Sequence, residues 1–360
     1  MLRELAKLSG GMLFLDGHVT DLATVRRLAR DEVSPPRAPR GGRGGRGGRG
    51  GRSGKRGDRD WRTPVELLVL AAIWGGSFLF LRIAAPKFGP LALVDVRLAL
   101  GALVLSPFLW HARHQLAATG WLKIAAIGVV NTLLPFLLFA WSAERAPAGV
   151  SAIVNSMAVP FAALAAFAMF GERIGARRLT GLVVGLVGVV VLASGDVDGA
   201  GLGPAVAAGT GAALLYGVSA NLVKRYFAGL PPAAVAAATL AWGAVLLAPF
   251  AVWQWPAAHV AAQAWFSLIA LGVVCTGIAY ALYYRLIQRV GAPRATTVTY
   301  LVPIFGVLWA WLALGESLTW GMAVGGALIL GGMLFAQGRM RAIPVPRRVA
   351  LDKTSTRCPG

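Results

Sequence analysis

The chain is 360 residues long, 57% hydrophobic and only 14% charged, with a formal net charge of +20. Soluble domains average about a quarter charged residues, so these proportions and a mean hydropathy of +0.65 exclude an ordinary soluble fold. The basic excess lies at the two ends, with 15 Lys and Arg in residues 1–62 and 6 in 339–360, which suits membrane flanks better than a nucleic-acid surface.

Residues 1–62 hold one modest amphipathic stretch, Asp21 to Arg30, and four Gly-Gly-Arg units from Gly41 to Arg52. Such composition cannot bury a core and predicts a disordered basic cytoplasmic extension. An arginine-glycine nucleic-acid arm and a patch held to anionic lipid are the alternatives. The segment lacks interleaved aromatics for base stacking, so the bilayer is an expected partner and nucleic acid is not.

Ten apolar blocks follow, over 65–85, 91–110, 121–142, 149–170, 176–194, 202–222, 232–253, 264–286, 294–314 and 319–337. Each approaches the roughly 20 residues needed to cross hydrocarbon as a helix. The ninth is the least clean, because Tyr300, Pro303 and Gly306 interrupt it. Loops on the side of the N-terminus hold ten Arg and Lys against three (Arg82, Lys87, Arg145) on the other, which predicts a cell-membrane protein with both termini cytoplasmic. The two cysteines, Cys275 and Cys358, imply no disulfide framework.

The apolar region repeats itself. Gly171-Glu172 followed by Gly181 and Gly188 recurs 144 residues later as Gly315-Glu316 with Gly325 and Gly332. At the same offset Gly128-Val129-Val130-x-Thr132 maps onto Gly272-Val273-Val274-x-Thr276, and Arg145 onto Arg289. With a two-residue slip, Trp74-Gly75-x-Ser77 aligns with Tyr216-Gly217-x-Ser219. The organisation is therefore an extension (1–62), a first copy (63–196), a second copy (200–338) and a basic tail (339–360). Five crossings per copy is an odd number, so the second copy enters from the opposite face. The predicted fold is all-α integral membrane, with ten transmembrane helices as two inverted five-helix repeats, an arrangement that supports alternating access to a site near mid-bilayer.

Trp74-Gly75-Gly76-Ser77-Phe78, Pro90 with Arg97, Ala146-Pro147-Ala148, Pro160 with Gly171-Glu172, and Pro303 with Gly315-Glu316 resemble the EamA-type repeat of the drug/metabolite transporter superfamily. The copies depart from one another where Thr239 stands in place of Arg97, and where Pro160 and Pro303 precede their glutamates by twelve and thirteen residues. The resemblance implies ten helices, secondary transport of small metabolites, often efflux, and proton coupling.

Polar groups inside apolar spans are costly and point to function. Arg97 can bind an anionic group, and Asp95, two residues away on the opposite side of its helix, is the first candidate proton carrier; Glu144 is the second. Asn131, Trp141, Asn155, Tyr280 and Tyr300 are candidate contacts for a small-molecule substrate, with Asn155 and Tyr300 just ahead of Pro160 and Pro303. Glu172 and Glu316 are read as caps or dipole partners of the fifth and tenth helices. The glycine rows at 181/185/188 and 321/325 read as helix contact faces, which leaves a homodimer open. His111 and His114 have no neighbouring ligand types, so neither a metal nor another cofactor is expected. No Gly-x4-Gly-Lys-Ser/Thr loop occurs, which argues against a built-in ATPase. The reading is a permease, an exporter by preference. The alternatives are a membrane-embedded enzyme acting on lipid, for which seven scattered acids in residues 63–338 are poor material, and a membrane-anchored nucleic-acid binder.

Overall fold

The structure is a computed structural model that describes residues 61–197 and 200–337; the expectations for residues 1–60 and 338–360 lie outside the described residues. The elements in order are α1 (Arg62–Thr119), α2 (Trp121–Ala143), α3 (Ala148–Phe170), α4 (Ala176–Ala193), α5 (Gly203–Tyr226), α6 (Pro232–Trp253), α7 (Ala262–Val290), α8 (Val298–Leu314) and α9 (Trp320–Gln337). Seven of these, α1 to α7, are long and apolar enough to cross a membrane, and α8 and α9 are shorter apolar helices. Large apolar side chains such as Leu103, Leu122, Val252 and Phe266 are largely exposed, as lipid-facing residues are. Among the described residues the fold is helical but for one feature absent from the sequence reading. Between the copies, β1 (Asp196–Val197) and β2 (Ala200–Gly201) form a two-residue antiparallel ladder, with Asp196 opposite Gly201 and Val197 opposite Ala200.

The first two predicted spans lie in one 58-residue element, which at 1.5 Å per residue would run about 87 Å, nearly three times the hydrocarbon thickness. It breaks at Gly89, whose φ of 72° and ψ of 161° are neither helical nor open to a bulky residue. The limbs 62–88 and 90–119 outrun their apolar blocks because helical hydrogen bonding does not stop where hydropathy falls. His111, Arg113 and His114 extend the second limb with their side chains exposed.

Contacts between the copies come in exchanged pairs. A Cβ at Gly332 would fall 2.6 Å from the Gly181 carbonyl oxygen, and one at Gly188 would fall 2.7 Å from that of Gly325. Helices α4 and α9 thus cross backbone to backbone. Gly75 abuts Phe305 and Gly306 on α8, while its repeat mate Gly217 abuts Phe161 and Ala162 on α3. Gly128 lies against Thr239, while Gly272 lies against Arg97 and Leu100. The predicted glycine contact faces at 181, 188 and 325 are therefore occupied within the chain itself.

A central cavity around Arg97

Two wide turns organise the middle of the molecule. Residues Val129–Leu133 of α2 and Ala270–Ile278 of α7 are π-helical, and they fall on the two copies of the Gly-Val-Val-x-Thr motif. A π turn carries an extra residue and a wider bore, which offsets the side chains after it and recurs at functional sites. The motif threonines are fully buried and bond back to the loosened backbone: Thr132 Oγ1 donates to the Gly128 carbonyl at 2.9 Å, and Thr276 Oγ1 to that of Leu271 at 2.9 Å. Thr276 also receives the Arg97 Nε at 3.0 Å.

Arg97 lies seven residues past Pro90, about 10 Å into the second limb of α1. Its side chain is buried, and its guanidinium lies 3.7 Å from the centre of the Phe136 ring, a cation–π contact. Among the described residues no carboxylate pairs with it. It faces a cavity of about 240 Å³ whose wall includes Trp74, Phe78, Phe139, Tyr216 and Tyr280, with Asn155, Ser156, Thr299 and Cys275 as smaller polar members. Trp74 meets Tyr280 edge-on at 6.3 Å, and Phe139 stacks on Tyr216 at 6.1 Å. Trp74 and Tyr216 are repeat mates, and each carbonyl receives the hydroxyl three residues on, Ser77 at 2.5 Å and Ser219 at 3.0 Å.

Helix breaks set the polar part of the wall. The first segment of α3 ends at Asn155 and helix resumes at Ala158; a short turn, Ala292–Ala295, precedes α8, which begins at Val298. Proline cannot donate to the carbonyl four residues back, which is that of Ser156 for Pro160 and of Thr299 for Pro303. Both residues line the cavity, and the buried Ser156 Oγ has no hydrogen-bond partner. The discontinuities lie just ahead of the prolines, not at them.

The structure thus brings Arg97, Asn155 and Tyr280 to one cavity. Tyr300 is adjacent in sequence to the lining residue Thr299 but is outside the lining, and its hydroxyl is buried without a partner. Asn131 is half-buried in the π turn of α2, in the lining of neither this cavity nor the cleft described next. Trp141 and Glu144 line a separate, open cleft of about 650 Å³ at the helix ends, beside Pro90 and Gln254. There Glu144 pairs with Arg145 at 2.6 Å, and Arg145 covers the Trp141 ring at 3.9 Å. That cleft is the larger of the two, yet its charges are already paired; the Arg97 cavity is smaller and its charge is not. Asp95 is half-buried outside the cavity lining, with Oδ1 buried and unpartnered. Tyr216, Phe136 and Thr276 escaped the sequence reading as site residues, although the repeat pairs Tyr216 with Trp74 and Thr276 with Thr132.

Glu316 corrects an expectation. It does not cap the tenth helix that follows it but the start of α3 in the other copy. Its carboxylate accepts the Ala148 N–H at 3.1 Å and the Gly149 N–H at 3.5 Å, and lies 3.8 Å from the Arg82 Nε. Arg82 in turn donates to the Ala143 carbonyl at 2.7 Å. Glu172 is exposed, and α4 has no side-chain cap. A glutamate at the end of one helix reaches whichever helix start the fold brings near, and sequence adjacency does not decide which.

Apolar helices enclosing a solute-sized cavity with one buried charge define a multi-pass membrane protein of the transporter class. Residues 65–194 and 203–337 each match the model of the EamA-like transporter family, and the chain belongs to that family. Among curated relatives, an uncharacterized transporter of Archaeoglobus fulgidus is 25% identical over 294 residues, 76% of this chain and 96% of that protein. A probable amino-acid metabolite efflux pump of Salmonella typhimurium is 25% identical over 74% of this chain and 91% of its own length. A probable terminal-alkyne amino-acid exporter of Streptantibioticus cattleyicolor is 27% identical over 79% of this chain and 98% of its own. One chain of solved structure, 21% identical, shares the fold with a TM-score of 0.53 over 76% of this chain and 97% of that one. Family and relatives are named as transporters, not enzymes.

Proposed function

We propose that the protein is a secondary transporter that exports a small organic solute by alternating access to the Arg97 cavity. The observation that carries this reading is the exchanged pairing of the two copies. Gly181 with Gly332 and Gly188 with Gly325 are the pairs that a twofold axis between inverted five-helix units generates. Ten crossings follow if α1 counts twice at Gly89, and the loop charges then set both termini in the cytoplasm. Export is favoured by the efflux relatives. Asp95 is the carrier in a proton-coupled cycle, as a half-buried carboxylate with a free buried oxygen. The test is flux in proteoliposomes with a metabolite panel, with and without an imposed proton gradient. Solute movement above protein-free vesicles that tracks the gradient supports the reading; no movement of any solute in either condition refutes it.

A further inference from the structure

We infer that the cavity selects a monocarboxylate with an aromatic or similarly bulky apolar body, and discriminates against the zwitterionic amino acid of the same skeleton. This deepens the transport reading and rests on it. The argument starts from the bonds Arg97 makes. Its Nε is held by Thr276 at 3.0 Å and one face of the guanidinium lies on Phe136, which fixes the plane and leaves the two terminal nitrogens for a ligand. A fixed guanidinium edge matches a planar carboxylate through two parallel N–H···O bonds.

Charge balance gives the valence. The lining contains one cation and no Asp or Glu, so the cavity wall carries a buried charge that no side chain of the wall compensates. A monoanion neutralises it; a dianion reverses it. A zwitterion returns the site to a net positive charge, and its ammonium finds only neutral acceptors in the lining, such as the Asn155 side-chain amide and the unpartnered Ser156 Oγ. The aromatic faces of Trp74 and Tyr280 can attract an ammonium, but the same wall carries the Arg97 charge that repels it. Size sets the body: 240 Å³ is room for about eight waters at ~30 Å³ each, enough for a single ring and a short chain and too little for a nucleotide.

Four probes on one skeleton test this: 3-phenylpropanoate, phenylalanine, phenethylamine and the neutral 3-phenylpropanamide. Binding to the purified full chain in detergent is read by tryptophan fluorescence, and competition against an established transported solute is read in proteoliposomes. The expected order is acid first, amino acid and amide at least tenfold weaker, and amine last. R97Q, checked for folding by its elution profile, should bind acid and amide alike, and R97K should keep only part of the preference. The wild-type order decides alone if neither variant folds. The inference is overturned if phenylalanine equals or exceeds the acid, if R97Q keeps the acid preference, or if none of the four competes while other solutes still move. Absence of any solute flux by the wild type instead removes the transport reading beneath it.

Discussion

Glu316 ties the two copies at one end of the molecule, and neutralising it should loosen that end by a predictable amount. A hydrogen bond from backbone to a carboxylate contributes about 1.5–3 kcal/mol net, and a negative charge on a helix N-terminus about 0.3–1 kcal/mol. Here one bond is well formed at 3.1 Å and the second is long at 3.5 Å, while the Arg82 contact at 3.8 Å is partly solvated. The sum for Glu316→Ala is therefore near the lower bound, about 2 kcal/mol, if the contact is lost when that end opens. At about 1.4 kcal/mol per tenfold, the open fraction rises roughly 25-fold. Glu316→Gln keeps a neutral acceptor, so its loss is about 1 kcal/mol, or roughly fivefold. Cys275 is a built-in reporter, since its thiol lines the cavity and is otherwise buried. In a Cys358→Ser background, a membrane-impermeant thiol reagent applied from the Glu316 side should modify Cys275 faster in that order: Ala, Gln, wild type. Equal rates in all three would show that Glu316 does not hold this end closed.

Further outcomes follow from the same contacts. Asp95→Asn should hold efflux at the rate the wild type shows without a proton gradient, and continued response to the gradient would exclude Asp95 as carrier. Gly332→Ala places a Cβ 2.6 Å from the Gly181 carbonyl oxygen and should lower the thermal midpoint through an overpacking cost of about 1–3 kcal/mol. Gly331→Ala meets nothing within 4 Å and should hold or raise that midpoint, so a larger fall at 331 than at 332 would contradict the α4–α9 crossing. Single cysteines at Arg173 and Ser194, before and after α4, should label from opposite aqueous phases; labelling from one phase would refute the inverted arrangement. Deleting residues 1–60 should leave solute flux intact, whereas loss of flux would give that extension a transport role.

Helix positions were legible because lipid demands long apolar blocks, and α6 spans the predicted 232–253. The ladder at 196–201 was not legible, since two residues carry no periodicity. Arg97 was found because a charge inside an apolar run has few structural excuses. Its partner Thr276 was visible only as half of a repeated motif; a 3.0 Å contact across 179 positions is a property of packing. Tyr300 shows the limit of reading breaks from proline. Neighbouring helical positions are about 100° apart, so where the helix restarts decides which of Thr299 and Tyr300 meets the cavity. Local pairs such as Glu144 with Arg145 needed no fold to be seen, whereas Glu316 needed a helix start from the other copy.

The unlike pair at one repeated position gives the framework a direction. Thr132 Oγ1 lies 3.4 Å from the carbonyl of Thr239, while Thr276 faces the side chain of Arg97. In an alternating-access cycle, a head group tethered at Arg97 would stay on one half of the protein while the other half swings past it. Its tail would do the sweeping, and the outward and inward half-trips of such a cycle would not be mirror images in energy. A scaffold built from two copies thereby acquires polarity from a single side chain, and affinities measured from the two faces have no reason to agree.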